Sequence, residues 1–233
     1  MEVIITDNYQ PDLMFYGLRI GEPVIAFTGV LVSLVCFYAW LRLGKINPKE
    51  DSLKLSRGFF FLTGLSSLIG GLFGHAFLYA LPQGSKLPGF FLAIIAVSTL
   101  AQASIVRTRS LLGSNLAKFL TYLNIFELTL ALWIISTTIW IKIVEIHTAF
   151  GFLLIIMPLE ILLLVKTNAK RSREILWGIL LLVGAVSAHI FKISFGVWFS
   201  YFDVAHLFVA AAMWKIMQAI SLDNASPSQS APR

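Results

Sequence analysis

The chain has 233 residues, of which 58% are hydrophobic and only 13% are charged. This composition is far more apolar than that of an average soluble domain, and it excludes a soluble globular protein. The formal net charge of +6 therefore indicates membrane topology, because the basic residues of membrane proteins gather in cytoplasmic loops. No nucleic-acid partner is predicted. The single cysteine, Cys36, excludes an intrachain disulfide.

The first 22 residues precede the first long apolar run. They lack the basic start and the apolar core of a cleavable signal peptide. Four acidic residues stand there against one basic residue, Arg19. We therefore predict that residues 1–22 form a short, exposed, external lead-in.

Seven apolar runs follow, each close to the length that a bilayer requires of a helix. We predict spans at 23–43, 56–81, 88–106, 116–138, 140–165, 174–195 and 200–220. They form a transmembrane domain over residues 23–221, and residues 222–233 have the composition of a disordered cytoplasmic tail. The predicted fold class is all-α, a polytopic seven-helix bundle, because each spanning helix satisfies its own backbone hydrogen bonds.

Basic residues are distributed unevenly among the connections between these spans. The second, fourth and sixth connections hold one each, namely Lys86, Lys142 and Lys192. The first, third and fifth hold all of Arg42, Lys45, Lys49, Lys54, Arg57, Arg107, Arg109, Lys118, Lys166, Lys170, Arg171 and Arg173. Because basic loops stay in the cytoplasm, the N-terminus is predicted to be outside and the C-terminus inside.

This topology places all four histidines of the chain at nearly one depth. At 1.5 Å of rise per residue, each lies roughly 9–10 Å below the outer edge of its span. Imidazole nitrogens are favoured Zn²⁺ ligands, so we predict a metal site in the outer half of the bundle. Its candidate ligands are His75, His147, His189 and His206. The alternative is that some of these histidines only form hydrogen bonds between helices.

Three further polar residues are assigned to this site. Asp203 lies three residues before His206 on the same helix face, and it could be a ligand, a general base or an orienting partner. Ser67 lies two turns before His75 and joins Asp203 as a candidate catalytic residue, unless its hydroxyl only bonds its own helix. Glu145 cannot share the direction of the nearby His147, so it is assigned as an outer partner that fixes a histidine tautomer.

Several segments carry a resemblance to known families. The sequences Glu145–Gly151, Asn124–Glu127 and Phe202–His206 resemble motifs of an uncharacterised bacterial family of seven-helix membrane proteins. More distantly, the plan is similar to the superfamily of alkaline ceramidases and progestin/adipoQ receptors. That resemblance implies a zinc ion held by histidines of the second and seventh helices, which match His75 and His206. It also implies cleavage of a lipid amide. The resemblance to the bacterial family implies a location in the bacterial plasma (inner) membrane.

The sequence departs from the superfamily pattern at three places. The superfamily has two histidines four residues apart in its last helix, whereas this chain has Asp203 and His206 three apart. Its serine lies close before the second-helix histidine, whereas Ser67 lies further away. The aspartate that follows in the superfamily has no counterpart in the third span.

The predicted function is that of a zinc-dependent integral membrane hydrolase acting on a lipid amide or ester. Membrane lipids are its predicted partners and substrates. One alternative is a haem-binding membrane electron carrier, in which two histidines on facing helices serve as axial ligands. The cytoplasmic half offers no histidine for a second haem, which counts against a carrier. Another alternative is a non-enzymatic receptor or scaffold, in which the polar layer only holds helices together.

The first prediction concerns orientation. A topology reporter fused after Arg109 is expected to report a cytoplasmic location, and one fused within 83–86 an external location, because of the loop charges. Paired reporters with alkaline phosphatase and a cytoplasmic fluorescent protein measure this. The opposite pair of readings would invert the topology.

Overall fold

The computed structural model describes residues 2–4, 10–46 and 50–222. Seven helices in these ranges are long and apolar enough to cross a membrane. Spans 1 to 7 run over Pro23–Gly44, Asp51–Ala76, Gln83–Leu112, Ser114–Thr138, Lys142–Thr167, Lys170–Ile190 and Tyr201–Leu222. The predicted all-helical fold, with seven helices long and apolar enough to span a membrane, is thus confirmed. The predicted tail lies outside the described residues from position 223 onward.

Spans 2 and 5 both change their helical form close to a histidine. Span 2 ends in a π-helical segment, Leu72–Ala76, which contains His75. Span 5 turns π-helical over Phe150–Ile156, directly after the helical segment that holds His147. Spans 2 and 6 end before the predicted residues 81 and 195. π-Helical turns are rare and are frequently found at functional sites. Their position beside His75 and His147 therefore makes these two histidines candidate functional residues.

The spans pack as a ring with one helix outside it. Span 1 packs between spans 2 and 7, span 3 packs on spans 2, 4 and 5, and span 6 packs on spans 5 and 7. Only 17% of the most apolar window of span 4 is buried, against 56% of that of span 3. Span 4 is therefore a peripheral helix that faces lipid along most of its surface.

Small residues allow spans 1 and 2 to approach closely. A Cβ atom added to Gly29 would lie 3.3 Å from the Cα atom of Gly71. One added to Gly71 would lie 3.0 Å from the carbonyl oxygen of Ala26. Backbone-to-backbone contact of this kind is typical of membrane helices, which lack a hydrophobic driving force between them.

A small antiparallel sheet precedes span 1. Its strands are β1 (Glu2–Ile4), β2 (Asp12–Phe15) and β3 (Leu18–Ile20), in the order β1-β2-β3. The β2–β3 hairpin turns through Tyr16 and Gly17, which both have positive φ angles of 49° and 82°. Two consecutive positive φ angles define the type I′ turn, whose twist matches that of the paired strands.

The hairpin docks onto the end of span 2 through polar contacts. Arg19 donates from Nε to Oδ2 of Asp12 over 2.6 Å, and its guanidinium lies 4.7 Å from the ring centroid of Tyr79. Asp12, Gln10 and Glu22 are all buried, and at most 5% of the surface of each is exposed. The prediction of an exposed lead-in is therefore wrong for these three residues, because the bundle supplies partners for Gln10 and Glu22 and Arg19 of the same hairpin pairs with Asp12.

The opposite end of the bundle holds a buried ion pair. Glu160 of span 5 is 1% exposed, and its Oε2 accepts a hydrogen bond of 2.7 Å from Nη1 of Arg107 in span 3. The same guanidinium nitrogen donates to Oγ of Ser172 in span 6 over 3.2 Å. Three spans are joined at this point, and the loop charges predict that it faces the cytoplasm.

The second prediction concerns this ion pair. Arg107→Leu should lower the free energy of unfolding by about 3–5 kcal/mol, because it leaves the Glu160 carboxylate buried without its cation. Thermal unfolding in detergent measures the loss. The double variant Arg107→Leu/Glu160→Leu should recover most of it, since no charge then remains buried. Equal instability of the single and double variants would contradict this account.

Candidate functional site

Span 7 begins with one half of a capping box, in which the acidic side chain reaches back to the helix start. The backbone N–H and the hydroxyl of Ser200 donate to Oδ2 of Asp203 over 2.7 and 2.8 Å. In return, the backbone N–H of Asp203 donates to the carbonyl of Ser200 over 3.0 Å. The carboxylate therefore satisfies the N–H at the helix start, whereas the N–H of Asp203 is satisfied by a backbone turn and not by the serine hydroxyl. The same pattern, Ser200-x-x-Asp203, is legible in the sequence before the last apolar run and identifies this helix start.

The carboxylate of Asp203 is fully buried and accepts two more hydrogen bonds. The Nε2 atom of Gln10 donates to Oδ2 over 2.7 Å, and the hydroxyl of Thr28 lies 3.2 Å from Oδ1. A carboxylate removed from water is costly unless donors surround it. These donors come from the lead-in, from span 1 and from the start of span 7, so they meet this requirement jointly.

Gln10 connects span 1 to span 7. Its Oε1 accepts hydrogen bonds of 3.1 Å from the backbone amides of both Val24 and Ile25, in the first turn of span 1. Its Nε2 donates to the carbonyl of Trp198 over 3.0 Å as well as to Asp203. The side-chain amide of Gln10 thus caps the start of span 1 and donates a hydrogen bond to the buried carboxylate at the start of span 7. No local sequence pattern identifies Gln10, because its partners are remote in the chain.

Thr28 links Asp203 to His206. The single hydroxyl proton of Thr28 faces the carbonyl of Ile25 at 3.1 Å, Oδ1 of Asp203 at 3.2 Å and Nδ1 of His206 at 2.9 Å. An ionised carboxylate is the strongest acceptor of the three, so we assign the proton to it. His206 then donates its Nδ1–H to Thr28 and keeps a lone pair on Nε2.

Glu22 holds the second histidine of this site. Its Oε2 lies 2.6 Å from Nδ1 of His75, and its backbone adopts a left-handed conformation with φ 41° and ψ 56°. The preceding Gly21 donates its N–H to the carbonyl of Ala76 over 2.8 Å. A Cβ at Gly21 would lie 2.9 Å from the carbonyl of His75, so the close contact requires glycine. Left-handed backbone at a buried glutamate is strained, and such strain clusters at functional sites.

The imidazoles of His75 and His206 face each other across spans 2 and 7. Their ring centroids are 6.4 Å apart and their planes differ by 81°. In each ring Nδ1 contacts an oxygen, whereas Nε2 makes no hydrogen bond within the described residues. Metal-binding histidines in proteins are held in this way, with one ring nitrogen bonded to a carboxylate or another acceptor and the other on the metal.

The fit of this pair to a metal ion is partial. An imidazole centroid lies about 3.2 Å from a bound zinc, so two rings at a tetrahedral angle are about 5.2 Å apart. The observed 6.4 Å is wider by about 1 Å, which side-chain rotation can close. No group of three or more histidine, cysteine, aspartate or glutamate side chains arranged for a metal occurs in the described ranges.

His189 lies beside this pair rather than within it. Its ring is 5.1 Å from that of Phe202, and Phe202 is 5.8 Å from His75. Its Nε2 lies 4.0 Å from Oε1 of Glu145. Glu145 also accepts a hydrogen bond of 2.7 Å from Lys142. The predicted role of Glu145 as a partner of a histidine thus finds its closest counterpart in His189 rather than in His147.

His147 belongs to a separate polar cluster between spans 3, 4 and 5. It is 1% exposed, and its Nε2 donates to the carbonyl of Ile94 over 2.8 Å. Its Nδ1 lies 2.6 Å from Oε2 of Glu127. The two side chains are therefore within ion-pair distance, although the angles at these two atoms do not form a hydrogen bond. Asn124 extends the cluster by donating to the carbonyl of Ser98 over 3.0 Å.

The remaining candidate, Ser67, is half-buried in span 2 and makes no side-chain hydrogen bond in the described chain. Of the four predicted ligands, the structure therefore brings His75 and His206 together, edge to face. His189 touches their aromatic neighbour, and His147 has partners of its own. Sequence reasoning missed Gln10, Glu22 and Thr28, which hold the facing pair.

A comparison with protein families places the chain. Residues 24–224 match the model of a family of unknown function, DUF6962. The chain belongs to this family. The match covers all seven spans of this DUF6962 protein and begins just after Glu22 and Pro23. No curated protein and no solved structure matches it.

The third prediction concerns the buried carboxylate. Asp203→Asn should lower the free energy of unfolding by about 2–4 kcal/mol. The substitution replaces one accepting carboxylate oxygen by an N–H₂ group, which is itself a donor and cannot pair with the surrounding donors. Thermal unfolding in detergent measures the change. The control is Asp51→Asn, whose exposed side chain pairs only with Lys54 and should change stability by less than about 0.5 kcal/mol. Equal stability of the two variants would contradict the assignment.

Proposed function

We propose that this protein is a zinc-dependent membrane hydrolase that cleaves a lipid amide or ester. The observation that carries the proposal is the pair His75 and His206, whose Nδ1 atoms are held and whose Nε2 atoms have no hydrogen-bond partner among the described residues. Bound there, Zn²⁺ would polarise a carbonyl and activate water. The resemblance to the ceramidase superfamily, which also uses second- and seventh-helix histidines, supports the same pair.

The residues around the pair support distinct roles. Glu22 and Thr28 orient the two imidazoles, and Asp203 acts on His206 through Thr28. All the hydrogen-bonding capacity of Oδ2 in Asp203 is directed at Gln10 and Ser200, which favours an orienting role over direct ligation. A catalytic zinc site commonly has three protein ligands, and His189 becomes the third in our proposal when Phe202 turns aside.

A lipid substrate suits the position of the pair. The side chain of His75 is 20% exposed, whereas that of Glu22 is 7% exposed. The reactive edge is thus accessible while its carboxylate partner stays away from solvent. The loop charges predict that this end of the bundle faces outward, so the substrate would enter from the outer leaflet of a bacterial plasma (inner) membrane. Ser67, two turns deeper in span 2, would contact the same lipid.

A bis-histidine haem is the second candidate, and the ring separation favours it. Two imidazoles on opposite sides of one ion place their centroids about 6.4 Å apart, which is the distance observed. The packing counts against it. A Cβ at Gly29 would lie 3.7 Å from Cε1 of His206, so the backbone of span 1 occupies the space next to this ring. A porphyrin extends well beyond the two rings in its plane and would clash there.

The fourth prediction tests the metal. Purified protein should contain about one zinc per chain by inductively coupled plasma mass spectrometry, and His206→Ala or His75→Ala should lose it. His147→Ala is the matched control, since it removes a buried histidine from the other cluster and should keep the metal. Glu22→Gln should weaken zinc binding by about 10- to 100-fold, because an outer partner tunes its ligand.

The other outcomes separate the candidates. Stoichiometric zinc in the His206→Ala protein would end the proposal that spans 2 and 7 share a metal. An intense Soret absorption that shifts on reduction would replace zinc with haem. Neither metal nor Soret band in the wild type would leave the receptor or scaffold. Zinc without release of fatty acid from ceramide or ester substrates would retain the metal site and reject the hydrolase.

A further inference from the structure

A cavity of about 190 Å³ opens between spans 3 and 4, near the short connection at Gly113. Arg109 lines it from the end of span 3 and Lys118 from the beginning of span 4. The two cations flank the connection, so they stand at one end of the bundle. The loop charges predict that this end meets the cytoplasmic surface of the membrane.

Neither cation has an anionic partner in the part of the chain that the structure describes. Arg109 and Lys118 are both exposed, and neither side chain makes an ion pair or a hydrogen bond with a described residue. No aspartate or glutamate lines the cavity. Arg107, two residues earlier on the other side of the same helix, differs in this respect because it pairs with Glu160. The cavity therefore combines two positive charges with space for an anion.

The cavity continues from the two cations toward the middle of the bilayer. Ile105 and Val106 form part of its apolar wall, and Tyr122, 70% exposed, lies one turn beyond Lys118. Deeper still, Gln102 donates to the hydroxyl of Thr121 over 3.2 Å. Its own Oε1 is buried and receives no hydrogen bond. The cavity thus has two cations at its mouth and a mainly apolar wall deeper in, interrupted by Gln102 and Thr121.

We propose that this cavity binds the headgroup of an anionic phospholipid from the cytoplasmic leaflet. The phosphate lies between Arg109 and Lys118, and an acyl chain follows Ile105 and Val106 along the lipid-facing side of span 4. Basic pockets between membrane helices at the cytoplasmic surface favour such lipids, since the leaflet is itself anionic. The apolar wall favours a lipid over free phosphate, which would use only the two cations. This site is independent of the facing histidines.

Native mass spectrometry of the full-length protein in detergent tests the proposal. Titration with phosphatidylglycerol should give one tightly retained lipid, and phosphatidylcholine should be retained far less. Arg109→Ala/Lys118→Ala should weaken retention of phosphatidylglycerol by about 30-fold, the effect expected for two lost charges near the surface. The matched control is Lys45→Ala/Lys166→Ala, which removes two exposed cations outside the cavity and should leave retention unchanged.

Three results would overturn it. These are equal retention of the two lipids, equal weakening by the control pair, or displacement of phosphatidylglycerol by millimolar inorganic phosphate. The last result would mean a site for a soluble anion. The charge-conserving variant Arg109→Lys/Lys118→Arg guards against loss of fold, because it should retain the lipid. If it loses the lipid as fully as the alanine pair does, charge between the two helices is not the cause.

Discussion

The buried carboxylate of Asp203 is the constraint on which the predicted outer end of the bundle depends. A carboxylate with no exposed surface requires donors from the protein, and an absent donor costs far more than a present one contributes. Here the donors are Gln10, Thr28 and Ser200, from three separate segments. Satisfying one carboxylate therefore fixes the lead-in, span 1 and span 7 relative to one another, and through Thr28 it also sets the direction of His206.

The same requirement explains how the four histidines are distributed. Each imidazole in this apolar bundle has an acidic side chain within reach: Glu22 for His75, Glu127 for His147, Glu145 for His189, and Asp203, through Thr28, for His206. A common depth therefore does not mean a common site. Spans 2 and 7 bring two such pairs together, and in both rings Nε2 has no hydrogen-bond partner among the described residues. That difference from His147 separates a candidate metal site from interhelical hydrogen bonding.

Charge is handled differently at the two faces of span 3. Residues two apart on a helix point in different directions, so Arg107 enters the bundle and pairs with Glu160, whereas Arg109 stays outside beside Lys118. The charge of Arg107 is thus paired inside the protein, where it helps to hold three spans together. The charge of Arg109 is left available to a ligand. A count of the basic residues in each loop does not distinguish the two arginines. It predicts on which side of the membrane a residue lies, and it contains no information about which face of the helix carries that residue.

The sequence by itself determined the all-helical class and the number of spans, and it predicted a common depth for the histidines. These follow from local properties, since hydropathy, length and rise per residue belong to one helix at a time. Only the tertiary structure decided which side chains meet. Gln10 reaches Asp203 across 193 positions, and Glu22 reaches His75 across 53. The rotation of each helix about its axis, and hence its partners, is fixed by packing against the other helices and has no local sequence signal.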